Sequence, residues 1–74
     1  MGNDKKVYII NAPDYPIEKI RQELHDEGYP YNFHFGKDEQ ALIAADEIWV
    51  FGDCSYEADY VTARNIGKSV WIMG

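Results

Sequence analysis

Four stretches of this chain are rich in apolar residues, and the segments between them place apolar side chains at helical spacing. Val7-Tyr8-Ile9-Ile10 and Ile48-Trp49-Val50-Phe51 are short runs of β-branched and aromatic residues with no polar alternation. That pattern suits parallel strands covered on both faces. Ser69 to Met73 gives a similar run at the far end. Tyr31, Phe33 and Phe35 instead alternate with Asn32 and His34, the period-two signature of a strand with one wet face, which predicts an edge position.

Three helices are predicted between these strands. Asn11-Ala12-Pro13-Asp14 stops the first strand, and Asp14 is a candidate cap for a helix in which Ile17, Ile20 and Leu24 form one buried stripe. Pro16 is tolerated in a first turn, Glu18 suits the positive end of the helix dipole, and Gly28 closes the helix. After the loop Gly36-Lys37-Asp38, Glu39 to Ala44 reads as a short helical turn with Leu42 and Ile43 facing inward. Gly52-Asp53-Cys54-Ser55 breaks the third strand. Ser55 is the expected N-cap of the last helix, Glu57 and Asp59 put negative charge in its first turn, and Gly67 stands where a terminating glycine belongs.

The order βαβαβαβ with short links calls for a small three-layer Rossmann-like or flavodoxin-like α/β domain with a four-stranded parallel sheet. Right-handed crossovers from a central first strand give the strand order 2-1-3-4. The first crossover runs to one side and the later two to the other, so one helix covers one face and two cover the opposite face. The single-helix face is then covered only around strands 1 and 2, and either Trp71 and Met73 or Val70 and Ile72 must project onto its bare half. In such sheets ligands bind beyond the carboxyl ends of the strands, which makes Gly52 to Ser55 and the start of the last helix the candidate site, with Pro13 and Tyr8 contributed by strand one.

Composition narrows the function. With 13 acidic and 7 basic residues the formal charge is −6, which argues against a grip on a nucleic-acid backbone. The single cysteine excludes an intramolecular disulfide and a Cys-x-x-Cys pair, and no Cys/His spacing supports a metal site. No apolar run approaches membrane length, and Met1 to Lys6 lacks the apolar core of a signal peptide, so a cytoplasmic setting is expected. At 74 residues the chain forms one domain that buries a modest share of its surface. Since its last strand has no polar side, a homodimer or higher homo-oligomer is expected.

Lys6-Val7-Tyr8-Ile9-Ile10-Asn11-Ala12-Pro13 resembles the opening strand of the nucleoside 2-deoxyribosyltransferase-like superfamily, with Ala12 where a glycine is usual. The likeness extends over most of the chain. Asp38, seven residues before Ala45, matches an aspartate that precedes an Ala-Asp strand in that family. Asp53, six residues before Asp59, matches the aspartate of its Asp-x-Gly-[Thr/Ser]-x-x-Glu motif. Asp59, eight residues before Gly67-Lys68-Ser69-Val70, stands at the position of the nucleophilic glutamate. Two departures accompany these matches: the carboxylate at Asp59 is one methylene shorter, and Ser55-Tyr56 replaces Gly-[Thr/Ser].

The resemblance implies a nucleoside or nucleotide ligand, with N-glycosidic bond cleavage or deoxyribosyl transfer as the accompanying chemistry and no cofactor. Such a reaction passes through an oxocarbenium-like state, so a carboxylate below the anomeric carbon acts as nucleophile or electrostatic stabiliser. Asp59 takes that role, while Asp53 and Asp38 orient sugar hydroxyls or hold a proton, with a pKa raised by a charged neighbour. Tyr8, Pro13, Gly52, Ser55 and Tyr56 complete the expected substrate contacts, Tyr56 by stacking on a base. Plainer roles stand beside these: first-turn dipole charge for Asp59, a loop residue for Asp53, an N-cap for Asp38. Cys54, just before a helix N-terminus, is a candidate nucleophile with His25 or His34 as its base. The rival function is a non-catalytic interaction or regulatory protein of phage or mobile-element origin that keeps the fold.

Overall fold

The computed structural model describes residues 5–73. Of the charged lead Met1 to Lys6 considered above, the first four residues lie outside these. The elements run β1 (Lys6–Asn11), α1 (Ile17–Glu27), β2 (Asn32–Phe35), α2 (Glu39–Ala44), β3 (Glu47–Phe51), α3 (Ala58–Asn65) and β4 (Val70–Ile72). All strand pairs are parallel, and their order is β2-β1-β3-β4. Handed crossovers and an uninterrupted apolar β1 therefore produce the expected three-layer α/β sheet.

Strand parity divides the core in two. Val7 and Ile9 of β1 and Trp49 and Phe51 of β3 pack with Ile20 and Leu24 of α1 on one face. Tyr8, Ile10, Ile48 and Val50 pack with Leu42 of α2 and Ala63 of α3 on the other. Burying a Leu or Ile side chain of this kind stabilises the fold by roughly 1.5–3 kcal/mol. Trp71 pairs in register with Trp49 and so belongs to the α1 face, as does Met73 two residues on, whereas Val70 packs beneath α2 and α3. The bare half is thus occupied by Trp71 and Met73, which are 52% and 38% exposed. It is smaller than the crossover pattern suggests, because Tyr29, Tyr31 and Phe33 surround the Trp49 indole at centroid distances of 5.0, 6.0 and 5.5 Å.

Several local expectations are corrected. Asp14 is exposed and does not cap α1. The N-cap is Pro16, in extended conformation and with no side-chain bond, because the residue before a proline is biased away from helix. Ser55 does not cap α3. Its hydroxyl and its backbone N–H both donate to Asp53 Oδ1, at 2.7 and 3.2 Å, a local turn that competes with helix and delays α3 until after the N-cap Glu57. Glu57 therefore precedes the first turn, while Asp59 lies within it. Ile43 is 51% exposed, since a six-residue helix has room for one inward stripe and Leu42 takes it. β1 is longer than its apolar run because it has partners on both sides, Lys6 with Asn32 and Asn11 with Phe51. β4 is shorter than Ser69 to Met73, although the Ser69 carbonyl and the Met73 N–H still bond to Ile48 and Val50 of β3.

Candidate functional site

The loops that leave β1 and β3 meet at the point where the crossovers diverge. Ala12 N–H donates to the Phe51 carbonyl at 2.9 Å, which carries the ladder past the strand ends. Gly52 then turns away with φ +86°, and a Cβ there would stand 2.8 Å from the Ala12 Cβ. Only glycine permits both the left-handed backbone and this approach. The Asn11 side chain braces the β1 loop through the Ala12 and Tyr15 carbonyls, and the Tyr15 ring packs against Phe51. This crevice is closed by the protein's own loops, with Pro13 exposed at its rim.

Beside it, on the α2/α3 face, three elements converge on one polar cluster. Tyr8 is fully buried in the middle of β1, and its hydroxyl donates to Asp59 Oδ2 at 2.6 Å across 51 residues of sequence. The same Asp59 oxygen accepts the Lys37 N–H at 3.2 Å, and the Asp38 N–H donates to the Tyr8 oxygen at 2.9 Å. Lys37 takes φ +55°, a left-handed conformation that costs a non-glycine residue roughly 1–2 kcal/mol, and Gly36 before it takes φ +60°. That backbone aims two successive N–H groups at the cluster, one at the Asp59 carboxylate and the other at the Tyr8 oxygen. Burial, and then the bond to Asp59, pushes the Tyr8 pKa up to about 12, so the phenol remains a donor at neutral pH. Asp59 is half-buried, and no donor among the described residues reaches its Oδ1.

Asp38 is at the cluster through its backbone only. Its carboxylate caps α2, accepting from Gln40 N–H at 3.1 Å and Ala41 N–H at 3.3 Å. Asp53 is not drawn in. Ser55 is its partner, and this hydrogen bonding holds the exposed Asp53 carboxyl below its usual range, the opposite of what a proton-holding role requires. Tyr56 is 95% exposed and fills no part of the loop. The loop does border a cavity of about 250 Å³ lined by Val50, Gly52, Asp53, Cys54, Ser55, Tyr60 and Ile72. Asp53, Gly52 and Ser55 thus share one lining, and Tyr8, Asp38 and Asp59 share one hydrogen-bonded cluster.

Cys54 lies under the loop, its thiol within 3.5 Å of the Phe51 carbonyl and 3.7 Å of the Ile10 carbonyl. Burial raises its pKa, which works against a nucleophilic thiolate. His25 is exposed on α1, and the His34 ring stacks on the outer side of Tyr8 at 5.4 Å. Among the described residues no group of three or more His, Cys, Asp or Glu is placed to hold a metal ion. No helix among them is long and apolar enough to cross a membrane.

Sequence reasoning missed the Lys37 amide, the Tyr60 wall and the His34 stack. Gly36-Lys37-Asp38 was legible as a loop, but nothing in a lysine signals a left-handed backbone. Comparison with protein-family models, with curated proteins and with solved structures found no match to this chain.

Proposed function

We propose that the chain binds a nucleoside or nucleotide beside Asp59, and that Asp59 acts on the anomeric carbon in N-glycosidic cleavage or deoxyribosyl transfer. The observation that carries this is the 2.6 Å bond from Tyr8 to Asp59 Oδ2. With Oδ2 held by the phenol and the Lys37 amide, the carboxylate is fixed in place at low reorganisation cost while Oδ1 remains available. A fixed negative charge is what an oxocarbenium-like carbon demands. A carboxylate held in this way serves electrostatic stabilisation as well as attack. In the attacking version, Oδ1 bonds to the anomeric carbon as the carbon–nitrogen bond breaks, and the base leaves with the electron pair and takes a proton from solvent; water or a second base then bonds to the anomeric carbon as its bond to Oδ1 breaks, losing a proton to solvent and giving the free sugar or a new nucleoside. Gly52 to Ser55 and Tyr56 then offer the contacts to the rest of the ligand.

Titration with deoxynucleosides and their 5′-monophosphates tests the binding step. Amide shifts at Lys37, Asp38, Gly52 to Ser55 and Asp59 are expected, and shifts confined to Tyr31–Phe35 would place the site elsewhere. Asp59→Asn should abolish release of free base while leaving the fold intact, and Asp59→Glu should raise a weak activity by extending the carboxylate's reach. If neither the parent nor Asp59→Glu releases base from any compound tested, the catalytic part falls.

A second function is favoured by Asp53, which is turned to Ser55 rather than to Asp59. In that case the chain is a non-catalytic interaction or regulatory protein that keeps the fold. Either function is compatible with a cytoplasmic homodimer or higher homo-oligomer, supported by Trp71 and by Ile72, which is 64% exposed, on a terminal strand of the sheet. A stable pair buries about 1,200 Å² or more in total. Sedimentation should find an oligomer at micromolar concentration, and Trp71→Glu should dissociate it. A monomeric parent at high micromolar concentration would end the oligomer proposal.

A further inference from the structure

The sheet ends differently at its two edges. β2 presents Asn32 and His34 to solvent, and the Arg21 guanidinium lies 4.5 Å over its Phe35 ring, so that edge is polar and partly covered. β4 is Val70-Trp71-Ile72, with neither a charge nor a proline in the strand to blunt it, and Trp71 and Ile72 are both exposed. The Ser69 carbonyl accepts from Ile48 N–H at 2.9 Å, and Met73 N–H donates to the Val50 carbonyl at 2.8 Å, in the register that pairs Val70 with Ile48 and Ile72 with Val50. Ser69, Trp71 and Met73 therefore bond toward β3. By the alternation of a parallel ladder, the N–H and C=O groups of Val70 and Ile72 point to the open side, where no strand of the sheet meets them. Charge is uneven along this edge. Toward the start of β4, Arg64 and Lys68 line a hollow of about 360 Å³ with Tyr60, Val70 and Ile72, whereas at its end Asp53 stands across the 250 Å³ cavity from Ile72. On the opposite face Glu23, Asp26 and Glu27 share a groove of about 440 Å³ with Met73, and no Lys or Arg lines it.

We propose that two copies of the chain pair antiparallel through β4, about a two-fold axis at Trp71, and join their four-stranded sheets into one continuous sheet. This rests on the oligomer proposed above and gives it a surface, a symmetry and a register. Centring on Trp71 places Val70 opposite the partner's Ile72, so that the outward N–H and C=O groups of both residues are all used in bonds across the junction. The Trp71 indole then lies beside the partner's Trp71 on the α1 face as a non-hydrogen-bonded pair, the closer of the two kinds, and Ile72 lies beside the partner's Val70 on the α3 face. Because α3 connects β3 to β4, strands about 4.8 Å apart set the two α3 helices about 10 Å apart over the junction, a distance at which helices pack. Charge selects the antiparallel arrangement. It brings the end with Arg64 and Lys68 beside the partner's end with Asp53, and it carries the two sets of Glu23, Asp26 and Glu27 to opposite ends of the pair. Stacking through the α1 face would instead set the two carboxylate grooves against each other, which like charge opposes. Each β4 edge is used up in the pair, so the assembly closes at two copies.

Amide hydrogen exchange of the full chain across a dilution series, with sedimentation on the same samples, tests this. As a dimer forms, the Val70 and Ile72 amides should slow by about ten-fold or more and approach the rates of Trp71 and Met73, whose N–H groups face β3 in either state. An oligomer in which Val70 and Ile72 keep the exchange rates of unbonded amides would overturn the edge pairing and leave the oligomer itself standing. A chain that stays monomeric at high micromolar concentration would overturn both. Ile72→Pro gives a second reading, because it deletes one outward N–H per copy and none that bonds to β3. Dimerisation should weaken by about ten-fold or more in this variant, through the two bonds lost across the axis, while Ile72→Ala, which keeps the N–H, should weaken it less. Unchanged dimerisation of a folded Ile72→Pro would also overturn the proposal. Should that variant not fold, exchange at Val70 and Ile72 in the parent decides alone.

Discussion

The two faces of the sheet are closed by different means. Over the α2/α3 face, two helices bury Leu42 and Ala63 against Tyr8 and Ile48, and the Tyr8 hydroxyl inside is bonded to Asp59 and the Asp38 amide. Over the α1 face a single helix reaches β1 and part of β3, and the remainder is covered by the Tyr29, Tyr31 and Phe33 rings around Trp49. A Glu47 carboxylate, held below its usual range by the Trp49 indole N–H and by Lys5, fixes that tryptophan from its strand. The difference teaches that helix count sets where a small sheet can place a polar device. Only the doubly covered face offers two helix N-termini near one buried phenol, whereas the singly covered face ends in exposed apolar surface suited to contact.

The contrast in packing can be broken by truncation. Leu42→Ala, at a fully buried position under α2, should cost about 2–5 kcal/mol, whereas Trp71→Ala, half-exposed on β4, should cost much less in a monomer. Denaturant unfolding of both variants would measure this, and similar losses would mean that β4 is covered by a partner. Next in size is Tyr8→Phe, which removes a buried bond to a charged group and should cost roughly 1.5–3 kcal/mol. The same variant carries a pH signature. Because the folded Tyr8 pKa, about 12, lies above the ordinary tyrosine value of 10.0, folding favours the protonated phenol. Its contribution is fully present below pH 10 and is lost as pH rises toward 12. Loss of stability between those values should therefore be shallower in Tyr8→Phe than in the parent.

Smaller effects sharpen the picture of the polar cluster. Lys37→Gly should stabilise the chain by about 1 kcal/mol, because it relieves a left-handed lysine while retaining the amide that faces Asp59. A destabilised Lys37→Gly would show that the lysine side chain, not only its backbone, supports the loop. Smallest is Asp53→Asn. Its carboxylate is exposed and bonded within its own loop, so stability should move by no more than about 0.5 kcal/mol in thermal unfolding. A larger loss would mean that the Asp53–Ser55 turn holds the β3 loop in position over the 250 Å³ cavity.

What the sequence determined was local or topological. The unbroken apolar runs of β1 and β3, the alternation through Tyr31, Phe33 and Phe35, and glycines at 28 and 67 specify elements by periodicity and backbone freedom alone. A first strand placed in the middle, with right-handed crossovers, then gives the strand order β2-β1-β3-β4. The position of Asp59 in a first turn, and of Asp38 before a helix, is legible for the same reason. The tertiary structure decided which groups meet. Tyr8 and Asp59 are 51 residues apart, and their meeting depends on strand parity and on the packing of α3, while the Lys37 amide joins them through a left-handed backbone that has no one-residue signal. Ser55 and Asp53 chose each other over the helix end, a competition between nearly equal hydrogen bonds that propensity cannot rank. The cover over Trp49 was equally hidden, because β2 begins at Asn32, one residue after the Tyr31 that the alternation assigned to it, so Tyr29 and Tyr31 lie in a connection that only the folded chain brings across the sheet.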